Sequence, residues 1–187
     1  LAEENDVGIG AHPSYPDLNG FGRRNMNADP EEVRNDVVYQ AGALKAFTSS
    51  KRLQHVKPHG AMYNQAVNDD RLATAICEAV LEIDEDTILL ALSGSKWIYI
   101  AESLGMRVAK EVFADRAINN DGTLVSRSIE GSVIHDTNLV VERSIRMVTE
   151  GKVETITGDI IEVEADSICL HGDTPGAVDM ATTMGQT

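Results

Sequence analysis

The sequence predicts an α/β fold built on a parallel sheet, and three observations indicate it. Short apolar runs, typical of buried strands, alternate with stretches in which apolar residues recur every three or four positions, as on one face of a helix. Polar residues, often beside Gly or Pro, follow most of the apolar runs. The alternation extends along nearly the whole chain of 187 residues, which predicts strands joined by right-handed helical crossovers.

Three of the five predicted strands lie in the first half of the chain, at residues 7–11, 54–57 and 87–92. A helix is predicted from Asp29, the cap before Pro30 at the first helical position, to about Phe47. Its inward face is predicted to carry the apolar residues Val33, Val37, Ala41, Leu44 and Phe47. Further helices are predicted from Ala61, over residues 72–83 and over residues 97–104.

The second half of the chain is predicted to add two parallel strands and a hairpin. The strands are residues 106–112 and 167–170, and the hairpin joins residues 153–156 to residues 160–163. A helix is predicted from about Asp136 to Glu150, with Val141, Ile145 and Val148 facing inward, and a helical tail follows the last strand. Because the hairpin interrupts the strand–helix alternation, we expect it to lie outside the main sheet.

The composition limits the class of protein. The chain has 16 basic and 30 acidic residues, a net charge of −14, which argues against a nucleic-acid partner or an anionic membrane surface. Only two cysteines occur and no apolar run approaches the length of a membrane span, so we expect a cytoplasmic protein. The length favours a single domain, residues 1–187, that acts on small molecules or other proteins.

Polar side chains follow four of the five predicted strands. They are His12, then Lys57 and His59, then Glu111, Asp115 and Arg116, and finally His171 and Asp173. Because the carboxyl ends of parallel strands lie on one rim, these side chains are expected to converge there. A single histidine of this kind is more often structural, and His55 and His135 are interpreted that way.

The loops of the predicted rim also carry arginines, which are Arg23, Arg24, Arg116 and Arg127. In so acidic a chain they indicate a substrate that bears a carboxylate or a phosphate. The histidines His12, His59 and His171 are candidate ligands for Zn²⁺ or another divalent ion, but their spacing matches no compact metal motif and the question stays open. The sequence contains neither a phosphate-binding loop nor a nucleophile elbow.

Long motifs in unbroken order make the sequence resemble the LamB/YcsF family over essentially its whole length. The motifs are Gly10-Ala11-His12-Pro13-Ser14-Tyr15-Pro16-Asp17, Gly20-Phe21-Gly22-Arg23-Arg24, His55-Val56-Lys57-Pro58-His59-Gly60-Ala61-Met62-Tyr63-Asn64, Glu111-Val112-Phe113-Ala114-Asp115-Arg116, Asp121-Gly122-Thr123-Leu124-Val125-Ser126-Arg127 and Cys169-Leu170-His171-Gly172-Asp173. The family pattern has Pro where Ser126 stands here.

The resemblance implies a distorted (β/α) barrel of the glycoside hydrolase/deacetylase type. It also implies the activity of the A component of ATP-dependent 5-oxoprolinase, which opens 5-oxo-L-proline to L-glutamate with ATP hydrolysis and has B and C subunits as partners. The family normally begins with two further motifs, an Asn-x-Asp-x-Gly-Glu stretch and a Cys-Gly-Phe-His-Ala-Gly-Asp stretch, and neither occurs here. We therefore expect a barrel that lacks its first two strands, with five strands and an external hairpin present.

Roles for the motif residues follow from the chemistry that the resemblance implies. Lys57 and a rim arginine are expected to hold the substrate carboxylate or phosphate. His59 or His171, oriented by Asp115 or Asp173, is expected to be the general base for water after ATP has phosphorylated the lactam oxygen. The remaining candidates for substrate binding are His12, Tyr15, Arg23, Arg24, Asn64, Glu111, Arg116 and Arg127.

Two alternatives to this activity stay open. One is a metal-dependent hydrolase or deacetylase that acts alone, and the other is a non-catalytic subunit that binds substrate or organises its partners.

Overall fold

The computed structural model describes residues 1–185, which divide into two compact units. The first unit comprises Leu1–Ala91 and Lys96–Ala109, and the second comprises Leu92–Ser95 and the chain from Lys110 onward. The prediction of a single domain stays a prediction.

In the first unit, three short parallel strands alternate with helices. The strands are β1 (Gly10–Ala11), β2 (His55–Val56) and β3 (Ile88–Leu92), and the helices are α1 (Pro30–Lys45), α2 (Gly60–Ala66), α3 (Asp70–Ile83) and α4 (Lys96–Ser103). A short 3₁₀ helix, Glu3–Asn5, precedes β1. β2 lies between β1 and β3, with Gly10 beside His55 and His55 beside Ile88. Strand β1 has two residues and is shorter than the strand predicted at residues 7–11.

Helix α1 begins where the sequence predicts and ends slightly earlier. The Asp29 side chain accepts a hydrogen bond of 2.9 Å from the backbone N–H of Glu31, so the cap forms. Val33, Val37 and Ala41 are fully buried, and α1 packs against α3. The prediction that Phe47 is a core residue is wrong: the helix ends at Lys45 and the Phe47 side chain is exposed. Beyond the end of the helix, side chains three or four positions apart no longer lie on the same face, because the backbone is no longer helical.

The second unit carries the remaining elements. They are β4 (Val108–Phe113, whose first two residues belong to the first unit), α5 (Thr137–Thr149), β5 (Lys152–Glu154), β6 (Ile160–Glu162), β7 (Ser167–Cys169) and α6 (Ala177–Met184). β4 pairs in parallel with β7, and the Ser93 N–H donates to the Glu111 carbonyl at 2.9 Å. β5 and β6 form the predicted antiparallel hairpin. Its Val153 packs with Val112, Ile118 and Met147 in a buried cluster.

The inward face of helix α5 matches the predicted one only at Val141, which is buried. Val140, Ser144 and Met147 are buried, whereas the predicted inward residues Ile145 and Val148 are exposed. Apolar residues occupy two overlapping stripes of this helix, and periodicity alone does not choose between them. Packing against the second unit's cluster selects the stripe that contains Met147.

No helix within residues 1–185 combines the length and the apolar character that crossing a membrane requires.

Candidate functional site

His12 and His59 form the first candidate centre, which we call the histidine pair, in the first unit. His12 directly follows β1, and His59 is the residue before α2. Nδ1 of His12 lies 2.5 Å from the carbonyl oxygen of Lys57, and Nε2 of His12 lies 2.9 Å from Nδ1 of His59. Nε2 of His59 lies 2.8 Å from the carbonyl oxygen of Phe21. The rings stand nearly perpendicular, with centroids 4.8 Å apart.

The loop between β1 and α1 is folded tightly against the β2–α2 turn. The backbone N–H of Ala61 donates to the Gly22 carbonyl at 2.9 Å, and the N–H of His59 donates to the Pro13 carbonyl at 2.8 Å. Gly60 has a φ of +55°, and a Cβ atom there would lie 2.6 Å from the Gly22 oxygen. Only glycine meets both demands, which explains its place in the Pro58-His59-Gly60 step.

An ion pair between Asp17 and Arg24 closes the same loop. The Asp17 carboxylate also accepts from the backbone N–H of Gly20 at 2.9 Å. The Arg24 side chain, together with these bonds, lowers the pKa of Asp17 to about 2. Arg24, a predicted substrate-binding residue, is therefore engaged in holding the loop, and its role toward substrate stays a prediction.

Two cations of the first unit lie over aromatic rings. The Arg23 guanidinium carbon is 5.2 Å from the centre of the Phe21 ring, and Lys57 Nζ is 5.9 Å from the centre of the Tyr63 ring. These distances are typical of cation–π contacts. The carbonyls of Lys57 and Phe21 are the ones that contact His12 and His59. Lys57, and Arg23 two residues after Phe21, therefore lie on the backbone segments that hold the histidine pair.

The other predicted residues of the first unit differ in exposure. Tyr15 is 2% exposed, and burial, aided by the negative charge of Asp69, raises the pKa of its phenol. Asn64 is exposed on α2. His55 forms a hydrogen bond of 3.1 Å with its neighbour Gln54, and burial followed by the charge of Lys57 lowers its pKa.

His171 and Asp115 form the second candidate centre, the histidine–aspartate pair, in the second unit. Asp115 lies two residues after β4, and His171 lies two residues after β7, which pairs with β4. Nδ1 of His171 is 2.9 Å from Oδ1 of Asp115, and the Thr174 hydroxyl donates to Oδ2 at 2.6 Å. The Phe113 ring stacks on the His171 ring with centroids 5.8 Å apart.

The Asp115 carboxylate is held in its ionised form. Its side chain is completely buried, which alone would raise its pKa, but the hydrogen bonds from His171 and Thr174 bring the pKa below its ordinary value. An ionised carboxylate accepts, so Nδ1 of His171 carries the proton. Nε2 of His171 then presents its lone pair, and no residue within 1–185 bonds to it. This is the arrangement of a general base.

Arg143 is a buried cation of the second unit that the sequence did not indicate. It extends from α5 and donates through Nη1 to the Phe113 carbonyl at 3.1 Å. Burial lowers the pKa of its guanidinium to about 10, while the carboxylates of Asp115 and Glu154 act in the opposite direction. Thr174 was likewise missed. With Val141, Ile145 and Val148 predicted to face inward, Arg143 falls on the opposite side of the helix, so the periodicity of the sequence offered no signal for its burial.

The remaining predicted site residues of the second unit lie in different surroundings. Asp115, not Asp173, is the carboxylate that bonds to His171, and Asp173 is exposed. The buried Arg116 donates to the backbone carbonyls of Ser132 and Val125. Glu111 is buried on β4, and Arg127 is exposed on a loop. Their roles toward substrate stay predictions.

The candidate metal ligands His12, His59 and His171 are each engaged in other hydrogen bonds. Within residues 1–185, no group of three or more His, Cys, Asp or Glu side chains is arranged to hold a metal ion. The ring nitrogens of His12 and His59 are bonded to each other and to backbone carbonyls, and Nδ1 of His171 is bonded to Asp115. These residues as arranged do not fit a metal, and we derive no step through one.

The fold and the two centres define a class of protein: an α/β protein with histidine chemistry at the carboxyl ends of parallel strands. The chain belongs to the LamB/YcsF family, whose model matches residues 1–187. The family resemblance expected from the motifs is therefore confirmed.

Relatives cover nearly the whole chain. A protein of Thermococcus onnurineus, named as the A component of 5-oxoprolinase, is 55% identical over 183 residues, which are 97% of this chain and 72% of that protein. A protein of the same name from Campylobacter jejuni subsp. jejuni is 55% identical over 181 residues, 96% of this chain and 71% of that protein.

A solved structure confirms the predicted fold class. It is the lactam utilization protein from Thermus thermophilus, which is 44% identical, superposes with a TM-score of 0.88, and is matched over 98% of this chain and 74% of its own. This chain thus has the distorted (β/α) barrel type of fold, with five strands in parallel pairings and a separate hairpin.

Proposed function

We propose that the chain acts as the A component of a 5-oxoprolinase, a hydrolase that opens the cyclic amide 5-oxo-L-proline to L-glutamate with ATP hydrolysis. The observation that carries this proposal is the 52–56% identity, over 92–100% of the chain, to proteins named as that component. The histidine–aspartate pair supports it, because opening an amide with water needs a base.

In the proposed reaction the lactam is first activated and then opened. A lactam carbonyl is a poor electrophile, so transfer of the terminal phosphoryl group of ATP to its oxygen makes the carbon reactive. Water then bonds to that carbon and gives up a proton. As the ring C–N bond breaks, the nitrogen takes up a proton, and a second water releases the phosphate to leave L-glutamate.

His171 is the general base in this mechanism rather than His59. Nε2 of His171 holds a lone pair, and Asp115 stabilises the imidazolium that forms when this atom accepts the proton of water. Both ring nitrogens of His59 are engaged, one with His12 and one with the Phe21 carbonyl. His59 would have to break a hydrogen bond before it could act as a base.

The cations of the first unit are assigned to anion binding. Lys57 and Arg23 are expected to bind the carboxylate of 5-oxoproline or a phosphate group, since both side chains are fixed over aromatic rings. ATP serves as co-substrate, and the B and C subunits as partners in a hetero-oligomer. The reaction would take place in the cytoplasm, in keeping with a composition that contains only two cysteines.

The test is 5-oxoproline-dependent ATP hydrolysis, measured with the full-length protein alone and together with its B and C partners. We expect phosphate release that requires both 5-oxoproline and the partners, with L-glutamate formed in equal amount. His171→Ala is expected to reduce turnover by about 10²–10⁴-fold with folding intact.

Two results would contradict the proposal. Hydrolysis of an acyl or acetyl substrate by the protein alone, dependent on a stoichiometric tightly held metal, would indicate the metal-dependent hydrolase instead. Calorimetric binding of 5-oxoproline with turnover unchanged in His171→Ala would indicate a subunit that binds substrate without catalysing the reaction.

A further inference from the structure

Two aromatic rings, Tyr63 and Trp97, lie in series behind Lys57, and we call them the aromatic support. Nζ of Lys57 lies 5.9 Å from the centre of the Tyr63 ring. The Tyr63 and Trp97 rings have centroids 5.4 Å apart, with their planes at 71°. The first contact has the distance of a cation–π interaction, and the second is an edge-to-face aromatic pair. A continuous series of contacts therefore leads from Lys57 to α4.

Both rings of the aromatic support are held in place by burial. Tyr63 is 3% exposed and Trp97 is fully buried, so neither ring can turn without disturbing a close-packed interior. Helix α3 packs against α2, which carries Tyr63, and also against α4, which carries Trp97. Three helices of the first unit thus fix the position of the ring that Lys57 faces.

A lysine gains from such a support when it binds an anion. Its long side chain has many rotamers, and ordering it on binding costs conformational entropy. An aromatic face attracts the ammonium and restricts its position before a ligand arrives, which is a form of preorganisation. The ring has no net charge, so its contact with the ammonium does not neutralise the positive charge that an anion meets.

The other cation–π contact of the first unit differs in burial. Arg23 lies over Phe21, whose ring is 65% exposed and stands edge-to-face with the ring of His59. Cation–π contacts are weaker at exposed positions than where the groups are desolvated. The buried ring is therefore the one expected to restrict its cation more strongly.

We propose that Tyr63 and Trp97 are positioning residues that hold the Lys57 ammonium in place for an anionic carboxylate or phosphate group. Tyr63 acts directly on Lys57, and Trp97 acts through Tyr63. The anion-binding role of the aromatic support rests on the proposed function, whereas the support itself is testable without any substrate.

NMR of the lysine ε-methylene groups of the full-length protein tests the support directly. Protons over the face of an aromatic ring resonate upfield. The Lys57 signal, assigned with Lys57→Arg, should therefore lie upfield of the signal of Lys45, which pairs with Asp84. We expect this upfield shift to disappear in Tyr63→Leu and to shrink in Trp97→Leu. A Lys57 signal at the same position as that of Lys45 in the unaltered protein would overturn the proposal.

Conservative variants separate the rings from the rest of the packing. Tyr63→Phe and Trp97→Phe each keep an aromatic ring in place, and both should retain the upfield shift of Lys57. Tyr99→Leu, which replaces an exposed tyrosine on the same helix as Trp97, is the control and should leave the shift unchanged. Equal loss of the shift in Tyr63→Phe and Tyr63→Leu would assign the effect to the hydroxyl group and overturn the proposal.

The fluorescence of Trp97 gives a second measurement that creates no cavity in the core. Trp97 is the only tryptophan of the chain, so the emission reports on the aromatic support alone. Lys57→Met removes the charge beside Tyr63 and should shift the emission maximum, whereas Lys51→Met, at an exposed position, should not. An unchanged emission maximum in Lys57→Met would overturn the role of Trp97.

The anion-binding role predicts a kinetic result. Tyr63→Leu is expected to raise the KM for 5-oxoproline about tenfold with a smaller change in kcat, Trp97→Leu to raise it less, and Tyr99→Leu to leave it unchanged. If Lys57 binds the substrate carboxylate, the effect disappears for the uncharged carboxamide of 5-oxoproline. If it binds a phosphate, the KM for ATP rises instead. A loss confined to kcat would contradict the positioning role.

The two kinds of measurement keep the proposal separate from the proposed function. Absence of 5-oxoproline-dependent ATP hydrolysis in the presence of the partners would remove the proposed function, and the NMR and fluorescence results would still decide whether the rings hold Lys57. Normal activity with no upfield shift of Lys57 would overturn the aromatic support and leave the proposed function intact.

Discussion

The two histidine centres have similar places in the chain and different partners. His59 and His171 each follow the carboxyl end of a parallel strand, and each is bonded through Nδ1 to a residue about fifty positions away. The partner of His59 is an imidazole and that of His171 is a carboxylate. The imidazole partner and the Phe21 carbonyl use both nitrogens of His59, whereas Asp115 leaves Nε2 of His171 with its lone pair. The partner, not the histidine, decides which centre is basic.

The largest expected effect comes from removing the carboxylate of the histidine–aspartate pair. Asp115→Asn keeps the size of the side chain but no longer stabilises the imidazolium or fixes the proton on Nδ1 of His171. We expect kcat for 5-oxoproline-dependent ATP hydrolysis to fall about 10³–10⁴-fold. Asp179→Asn, an exposed carboxylate in the first turn of α6, is the matched control. Near-normal turnover in Asp115→Asn would remove the distinction between the two centres.

A substitution at Gly60 tests how the histidine pair is held. Gly60→Ala places a Cβ atom 2.6 Å from the Gly22 oxygen at a φ of +55°, and we expect a loss of about 1–3 kcal/mol in the free energy of unfolding, read from urea denaturation. Gly94→Ala is the control, because Gly94 has a φ of +77° but its Cβ would meet open space. Equal losses in the two variants would mean that the close contact between loop and turn is unimportant.

Arg143 offers a smaller effect on the second centre. Arg143→Met removes a positive charge whose field favours the ionised form of Asp115. We expect the acid limb of the pH–rate profile to move to higher pH and kcat to fall about tenfold or less, because both changes arise through the field alone. Arg146→Met, on the same helix but paired with Glu150 at the surface, should leave the profile unchanged. A shift in both variants would point to the helix rather than to the charge.

The smallest effect is a pH dependence of stability in the first unit. Because Arg24 lowers the pKa of Asp17 to about 2, the ion pair stabilises the folded state above the unfolded pKa, about 4, and this contribution is lost as the pH falls from about 4 to about 2. In Asp17→Asn, the thermal melting temperature should fall less across that pH window than it does in the unaltered chain. If the melting temperature falls equally with pH in both proteins, other carboxylates, Asp115 among them, cause the acid sensitivity.

Local sequence patterns were enough for the elements and for the residues of the strand ends. Asp29-Pro30 predicted the start of α1, and the apolar runs predicted all five parallel strands and the hairpin. The spacing of apolar residues gave the wrong burial at Phe47, beyond the end of α1, and at Ile145 and Val148 on α5. In both places the direction of a side chain depends on what packs against it, which is not a local property.

The sequence by itself determined the family, the α/β fold class and the presence of histidines, carboxylates and cations after the strands. Tertiary structure decided which of these groups bond to each other: His12 with His59 across 47 positions, and Asp115 with His171 across 56. It also brought the buried Arg143 into the field of Asp115. The physical reason is that proton positions and pKa values depend on partners within about 3 Å, and only the folded chain determines which partners those are.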